Sequence, residues 1–102
     1  MKVIYISGCY NAKTINGIYE NIQKARDEAI KWWKKGQFAV ICPHLNTAFM
    51  DGACETSTWI EGDLELLKRS DIIIMLKGWE LSEGANKEFE EALNLGKEII
   101  YQ

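Results

Sequence analysis

The sequence predicts a small α/β domain, in which a parallel sheet is covered by helices, and three observations lead to this prediction. Several short segments are continuously apolar and rich in β-branched residues, as strands buried on both faces are. Amphipathic helical segments alternate with these strands along the chain, and such alternation builds parallel sheets. The length of 102 residues, with 47% hydrophobic and 26% charged residues, suits one core. We therefore expect a single domain over residues 1–102.

The first half of the chain supplies two strands and one helix. Residues 3–7 form an apolar run that predicts the first strand, and residues 8–17 predict a loop. Apolar side chains then recur at helical spacing over residues 18–33, ending at Trp33, and Gly36 follows as a helix stop. Residues 38–42 predict the second strand.

The second half begins with a polar, irregular stretch over residues 43–55. Residues 59–68 carry apolar side chains on one face and predict a second helix, after which residues 72–76 predict a strongly apolar third strand. A helix is expected from Ser82 to Gly96, because Ser82 is a favourable N-cap and the glycine ends it. Residues 98–101 complete the pattern as a short last strand.

The order βαβαβαβ predicts how these elements assemble. Right-handed crossovers place helices on both faces of a parallel sheet, and we expect a reduced flavodoxin-like sheet with strand order 2-1-3-4. In such sheets, ligands bind beyond the carboxyl ends of the strands, where the strand order reverses. The crevice between the first and third strands is therefore the expected binding site.

Two carboxylates are the leading candidates for chemistry in this crevice. Glu88 falls on the apolar stripe of the last helix, with Ala85, Phe89, Ala92 and Leu93, although a carboxylate facing a core is costly without a partner or a role. Asp63 lies on or beside the inward stripe of its own helix. Two such groups can divide the roles of nucleophile and acid, as in glycosidic-bond cleavage with retention. The alternative is that Asp63 is partly exposed and Glu88 pairs with a lysine.

Other polar and aromatic residues are expected around the same crevice. Ser82 and Gly84 open the last helix, where free N–H groups and the helix dipole would suit a phosphate, although a plain N-cap is an equally good interpretation. The turn after the first strand is neither a GxGxxG fingerprint nor a P-loop, so NAD and ATP are poorly supported. The remaining candidates for ligand contacts are Gly8, Cys9, Tyr10, His44, Asn46, Trp59 and Trp79.

Composition excludes several other classes of protein. The chain has an odd number of cysteines, Cys9, Cys42 and Cys54, so we expect reduced thiols. Their spacing to His44 fits no common metal site, and we expect neither a metal nor an organic cofactor. A net charge of −3 argues against a nucleic-acid polymer as partner. No apolar run approaches the roughly 20 residues that span a bilayer, and the start lacks a signal-peptide pattern. We expect a cytoplasmic protein without membrane contact.

Three segments together resemble the nucleoside 2-deoxyribosyltransferase superfamily, which includes the 2'-deoxynucleoside 5'-monophosphate N-glycosidases. They are Val-Ile-Tyr-Ile-Ser-Gly at residues 3–8, Asp-Leu-Glu-Leu-Leu-Lys-Arg-Ser-Asp at residues 63–71 and Ser-Glu-Gly-Ala-Asn-Lys-Glu at residues 82–88. With the order of strands and helices, the resemblance covers nearly the whole chain. It implies that Glu88 attacks the anomeric carbon, that Asp63 protonates the leaving base, and that Tyr5 positions the nucleophile.

The resemblance also bears on the ligand. Ser82 stands where the monophosphate hydrolases have a phosphate-binding serine and the transferases have an aspartate, whereas Cys9 and Asn11 depart from the hydrolases' phosphate-binding residues. Ser82 and the helix N-terminus favour a nucleoside 5'-monophosphate as ligand. The sequence therefore predicts cleavage or exchange of the N-glycosidic bond of a deoxynucleoside 5'-monophosphate or deoxynucleoside, and the resemblance implies a homo-oligomer. The rival interpretation is a nucleotide-binding module of the same fold without turnover.

Overall fold

The computed structural model describes all 102 residues, which form four strands and four helices. The strands are β1 (Lys2–Ser7), β2 (Phe38–Ile41), β3 (Ile72–Met75) and β4 (Glu98–Tyr101). The helices are α1 (Ile15–Trp33), α2 (Pro43–Asn46), α3 (Thr56–Lys68) and α4 (Glu83–Asn94), and a single 3₁₀ turn covers Trp79–Leu81.

The four strands form one parallel sheet in the order β2-β1-β3-β4, which confirms the predicted flavodoxin-like arrangement. β1 lies in the middle and pairs with β2 on one side and β3 on the other. Tyr5 is in register with both Ile41 and Ile73, and Ser7 at the carboxyl end of β1 is in register with Met75. The last residues of β1 therefore lie at the point where the strand order reverses.

Both faces of the sheet are covered, as predicted. On one face, isoleucines of β1 and β3 pack against Ala25 and Ala29 of α1. On the other, Tyr5, Ile73 and Met75 pack against Leu67 of α3 and against Ala85 and Ala92 of α4. Because side chains alternate along a strand, Tyr5 and Ser7 point towards the face that carries α3 and α4. No helix of the structure has both the length and the apolar character needed to cross a membrane.

The helix boundaries differ from the prediction where the first turns are exposed. α1 begins at Ile15 rather than Ile18, and Thr14 caps it by accepting a hydrogen bond from the Gly17 N–H at 3.0 Å. α3 begins at Thr56 rather than Trp59. The segment expected to be irregular contains α2, a single helical turn that starts at Pro43, where proline already has a helical φ.

Two apolar residues assigned to buried stripes are in fact half-exposed. Trp33, at the end of α1, is 53% exposed, whereas the neighbouring Trp32 packs against the core. Leu93 of α4 is 54% exposed, and the inward face of that helix is formed by Ala85, Phe89 and Ala92. Both exposed residues lie in the last turn of their helix.

Candidate active site

A cavity of about 640 Å³ opens at the carboxyl edge of the sheet. Its walls come from the turn after β1, the segment that follows β2, the first half of α3 and the start of α4. This is the crevice that strand order predicts. Among the residues lining it are Glu88 and Asp63, so the structure brings the two candidate carboxylates to one cavity.

Glu88 is held by two hydroxyl groups from β1. The Tyr5 hydroxyl donates to Oε2 of Glu88, and the Ser7 hydroxyl donates to Oε1 at 2.6 Å. Tyr5 and Ser7 are both 0% exposed and lie two positions apart, so the pleat of the strand directs both side chains to α4. Glu88 is thus paired with two hydroxyl groups and not with a lysine, which was the alternative interpretation of this residue.

The electrostatic state of Glu88 reflects opposing influences. Burial raises its pKa to about 7, and the charge of Asp63 adds to this, whereas the hydrogen bonds from Ser7 and Tyr5 lower it. Burial and the neighbouring Glu88 charge raise the pKa of the Tyr5 phenol well above its ordinary value, so Tyr5 remains a hydrogen-bond donor. Near neutral pH, Glu88 therefore lies close to its ionisation midpoint.

Asp63 faces the same cavity from α3. It is partly buried, and burial raises its pKa to about 6. Both carboxylates thus have raised pKa values, and their ionisations are coupled because the charge of Asp63 acts on Glu88. Such a pair holds a single proton over part of the neutral range, which is the state that acid–base chemistry needs.

The start of α4 forms another wall of the cavity. The Ser82 hydroxyl oxygen accepts a hydrogen bond from the Ala85 N–H at 3.1 Å. Ser82 is therefore the N-cap of α4, as one of the two interpretations of this serine predicts. Gly84 lines the cavity, and a Cβ placed on it would meet nothing closer than Ser82 Oγ at 3.9 Å. Gly84 therefore borders open space in which a ligand can approach the backbone.

The turn after β1 is fixed by packing and by His44. A Cβ on Gly8 would lie 2.7–2.8 Å from Leu76 side-chain atoms, so the glycine is required by this close approach. His44 is buried, and its Nε2 donates to the Cys9 carbonyl at 3.0 Å, while Nδ1 has no partner. Burial lowers the pKa of His44, which favours the neutral ring. His44 thus helps to fix this turn, and the Cys9 thiol donates to the Gly78 carbonyl at 3.3 Å.

Tyr10 joins this turn to the segment after α2. Its hydroxyl donates to Asp51 at 2.6 Å and accepts from the Phe49 N–H at 3.1 Å. Phe49 has φ 58°, a left-handed conformation that is unfavourable for an aromatic residue. The Tyr10 hydroxyl therefore stabilises a strained segment that forms one side of the cavity.

Two predicted contact residues do not line the cavity. Asn46 is exposed at the end of α2. Trp79 instead packs on Phe89, with ring centroids 4.6 Å apart, against the buried cluster beneath α4. Trp59 does line the cavity and remains available to contact a flat ligand. Gly8, Cys9, Tyr10, His44, Ser82 and Gly84 also line it.

Charge in the cavity is strongly one-sided. Its lining includes four carboxylates, and the only cationic side chain is that of Lys87, whose Nζ lies 3.6 Å from a carboxylate oxygen of Glu83. Glu83 occupies the first position of α4, the helix start at which the sequence predicts a phosphate site. The carboxylates are Asp51, Asp63, Glu83 and Glu88.

Fold and cavity together define a class: a small flavodoxin-like α/β protein with a hydrogen-bonded glutamate and a second carboxylate at the carboxyl edge of its sheet. The chain belongs to the family described as Domain of unknown function (DUF4406), whose model matches residues 2–101. A sequence comparison with curated proteins finds no match.

The fold is also that of a solved structure, a 2-desoxiribosyltransferase from Leishmania mexicana. The two share 21% sequence identity with a TM-score of 0.63, and the similarity covers 99% of this chain. This chain spans 63% of the length of the Leishmania chain. At this level of identity the similarity shows the fold, which is that of the nucleoside deoxyribosyltransferases.

Proposed function

We propose that this protein cleaves or exchanges the N-glycosidic bond of a deoxynucleoside or its 5'-monophosphate, with Glu88 as the nucleophile. The observation that carries the proposal is the placement of Glu88, whose two oxygens each accept a hydroxyl from β1 while the carboxylate faces a cavity shared with Asp63. The solved structure of the same fold, a 2-desoxiribosyltransferase, supports a nucleoside as the substrate class.

In the first step an oxygen of Glu88 forms a bond to the anomeric carbon as the bond from that carbon to the base nitrogen breaks. The electron pair of the broken bond stays on the base, and Asp63 supplies the proton that neutralises it. In the second step water or another base attacks the same carbon, the ester to Glu88 breaks, and Asp63 takes up the proton of the attacking group. Atoms and charge balance without any further reactant.

The proton shared by the two carboxylates has to reside on Asp63 when a substrate is bound. In the free protein Glu88 has the higher pKa, about 7 against about 6, which is the reverse of this requirement. A sugar that develops positive charge next to Glu88 favours its ionised form, and the two hydroxyl donors favour the same form. As the glycosidic bond breaks, this developing charge therefore favours ionised Glu88 and the proton on Asp63.

The charge of the cavity distinguishes the two substrate forms. Asp51 and the ionised Glu88 face the ligand, and no cationic side chain is free to balance them because Lys87 is paired with Glu83. A phosphate dianion would be repelled by this lining, whereas a free nucleoside carries no charge to oppose. We therefore place the uncharged deoxynucleoside first and its 5'-monophosphate second.

The test is chromatographic detection of free base after incubation with deoxy- and ribonucleosides and their 5'-monophosphates, with and without an added acceptor base. Wild-type protein should release or exchange base from a deoxynucleoside, and Glu88→Gln should lose this activity by at least about a thousand-fold, as loss of a nucleophile does. Glu90→Gln, an exposed carboxylate on the same helix, is the matched control and should keep full activity.

Each result of this experiment has a definite meaning. Release in water alone identifies a hydrolase, and release that requires an acceptor base identifies a transferase. If Glu88→Gln releases base as fast as wild type, Glu88 is not the nucleophile. If no substrate yields base but one of them raises the melting temperature, the protein is a binding module and the proposal of turnover fails.

A further inference from the structure

We propose that Ser7 is a positioning residue for the reaction: its hydroxyl fixes the plane of the Glu88 carboxylate and holds it ready for attack. The inference rests on the proposed function and adds a second donor to the tyrosine that the family resemblance implies. It is carried by the hydrogen bond from Ser7 Oγ to Glu88 Oε1, 2.6 Å long, at a side chain that is 0% exposed.

The backbone of Ser7 has little freedom, so its hydroxyl is well defined. Ser7 ends the central strand, is in register with Met75, and its carbonyl accepts a hydrogen bond from the Leu76 N–H at 2.8 Å. One side-chain torsion then sets the position of Oγ. Glu88, by contrast, reaches the site through three side-chain torsions from α4, and it needs external contacts to hold one orientation.

A carboxylate that accepts a single hydrogen bond can still rotate about that contact. Two hydrogen bonds to its two different oxygens prevent this rotation. Tyr5 contacts Oε2 and Ser7 contacts Oε1, so the two hydrogen bonds together determine the carboxylate plane. Each carboxylate oxygen keeps a second lone pair. A lone pair that faces the cavity can attack an anomeric carbon. Orientation of a reacting group before attack is worth a large part of an enzyme's rate.

The same hydroxyl stabilises the ionised form of Glu88. Ser7 is the largest of the influences that lower the pKa of this carboxylate, and it acts against burial. Without it, Oε1 would be partly buried with no hydroxyl donor, and the neutral acid would be favoured. Removal of the Ser7 hydroxyl should therefore both loosen the orientation of the Glu88 carboxylate and disfavour its ionised form.

The experiment compares Ser7→Ala with Ser7→Thr and with Ser70→Ala. Ser70 is a matched control because it is also buried, at 1% exposed, and donates one hydrogen bond, to the Leu66 carbonyl at 2.9 Å, away from Glu88. Two readouts are used: the ionisation of Glu88 in the substrate-free protein, followed by carbon-13 NMR of its carboxyl group, and the pH profile of base release.

Ser7→Ala should raise the pKa of Glu88 by roughly one pH unit, since a hydrogen bond to a charged acceptor changes an ionisation equilibrium about ten-fold or more. The rate of base release should fall about ten-fold or more at pH 6.5, with little change in KM and with the lower limb of the profile moved to higher pH. Ser7→Thr, which keeps the hydroxyl, should restore both quantities towards wild type, and Ser70→Ala should change neither.

The proposal is overturned if Ser7→Ala leaves the Glu88 titration unchanged, or if Ser70→Ala moves it equally. The NMR titration needs no turnover. A wild-type protein that releases no base from any substrate therefore refutes the proposed function alone, while the titration still decides whether Ser7 controls the carboxylate.

Discussion

Replacement of Glu88 by glutamine should stabilise the protein, and the gain should depend on pH in a defined way. Burial raises the pKa of Glu88 from 4.5 in the unfolded chain to about 7 in the folded protein. The folded state therefore binds this proton more tightly than the unfolded state does, so ionisation of Glu88 opposes folding. Below pH 4.5 the acid is neutral in both states and has no effect. As the pH rises through 7, the full cost develops.

The size of this cost follows from the two pKa values. Each pH unit between them corresponds to about 1.4 kcal/mol, so the ionised carboxylate costs about 3 kcal/mol at pH 8. Glutamine is neutral at every pH. It can still accept the Tyr5 hydroxyl through its oxygen, while its amide donates to Ser7 Oγ, whose hydroxyl rotates to accept. We expect the difference in unfolding free energy between Glu88→Gln and wild type to grow by about 3 kcal/mol from pH 4 to pH 8.

Urea denaturation of both proteins at pH 4, 5.5, 7 and 8 measures this difference directly. Taking the difference between variant and wild type cancels the titration of the groups that do not interact with Glu88, and Glu90→Gln, an exposed site on the same helix, should give a flat line. A Glu88→Gln difference that stays constant across this range would refute the reasoning, because the carboxylate would then ionise in the folded protein as it does in the unfolded chain.

The glycines of the cavity provide two further predictions. Gly8→Ala places a methyl group 2.7–2.8 Å from Leu76, so it should lower the unfolding free energy in urea by about 1–3 kcal/mol. Gly84→Ala meets open space and should leave stability unchanged or raise it by up to about 1 kcal/mol, yet slow base release roughly ten-fold by narrowing the cavity. Gly62→Ala, at a helical glycine that also meets open space but lies outside the cavity, should keep full activity.

The sheet could be predicted from the sequence because its strands are short apolar runs with no competing pattern. Residues 3–7 and 72–76 are apolar enough to require burial on both faces, and the alternation with helices then allows few topologies. The first residues of the helices were harder to predict from the sequence. Ile15 opens α1 although it is 77% exposed, so the apolar period begins only a turn later, and the cap at Thr14 is the better indicator.

The site was predictable where one residue contradicted its own helix pattern. Glu88 interrupts an apolar stripe, and that contradiction marks it without any knowledge of its partners. Ser7 was missed as a site residue because its contact with Glu88 joins positions 81 residues apart. The available clue was its spacing of two from Tyr5 within a buried strand, which places two hydroxyls on one face. The direction of the Trp79 ring could not be read from sequence, since it depends on the turn that precedes α4.

The cost of ionising Glu88 bears on what the residue is for. A glutamine at this position would satisfy the hydroxyls of Tyr5 and Ser7, fill the same volume and avoid a cost of about 3 kcal/mol at pH 8. Stability alone therefore gives no reason for a glutamate here. The proposed attack on the anomeric carbon does give one, because it requires an ionisable oxygen that is preorganised, desolvated and within a cavity that a substrate can enter. A Glu88→Gln variant that is both more stable than wild type and inactive would show that stability and activity favour different residues at this position.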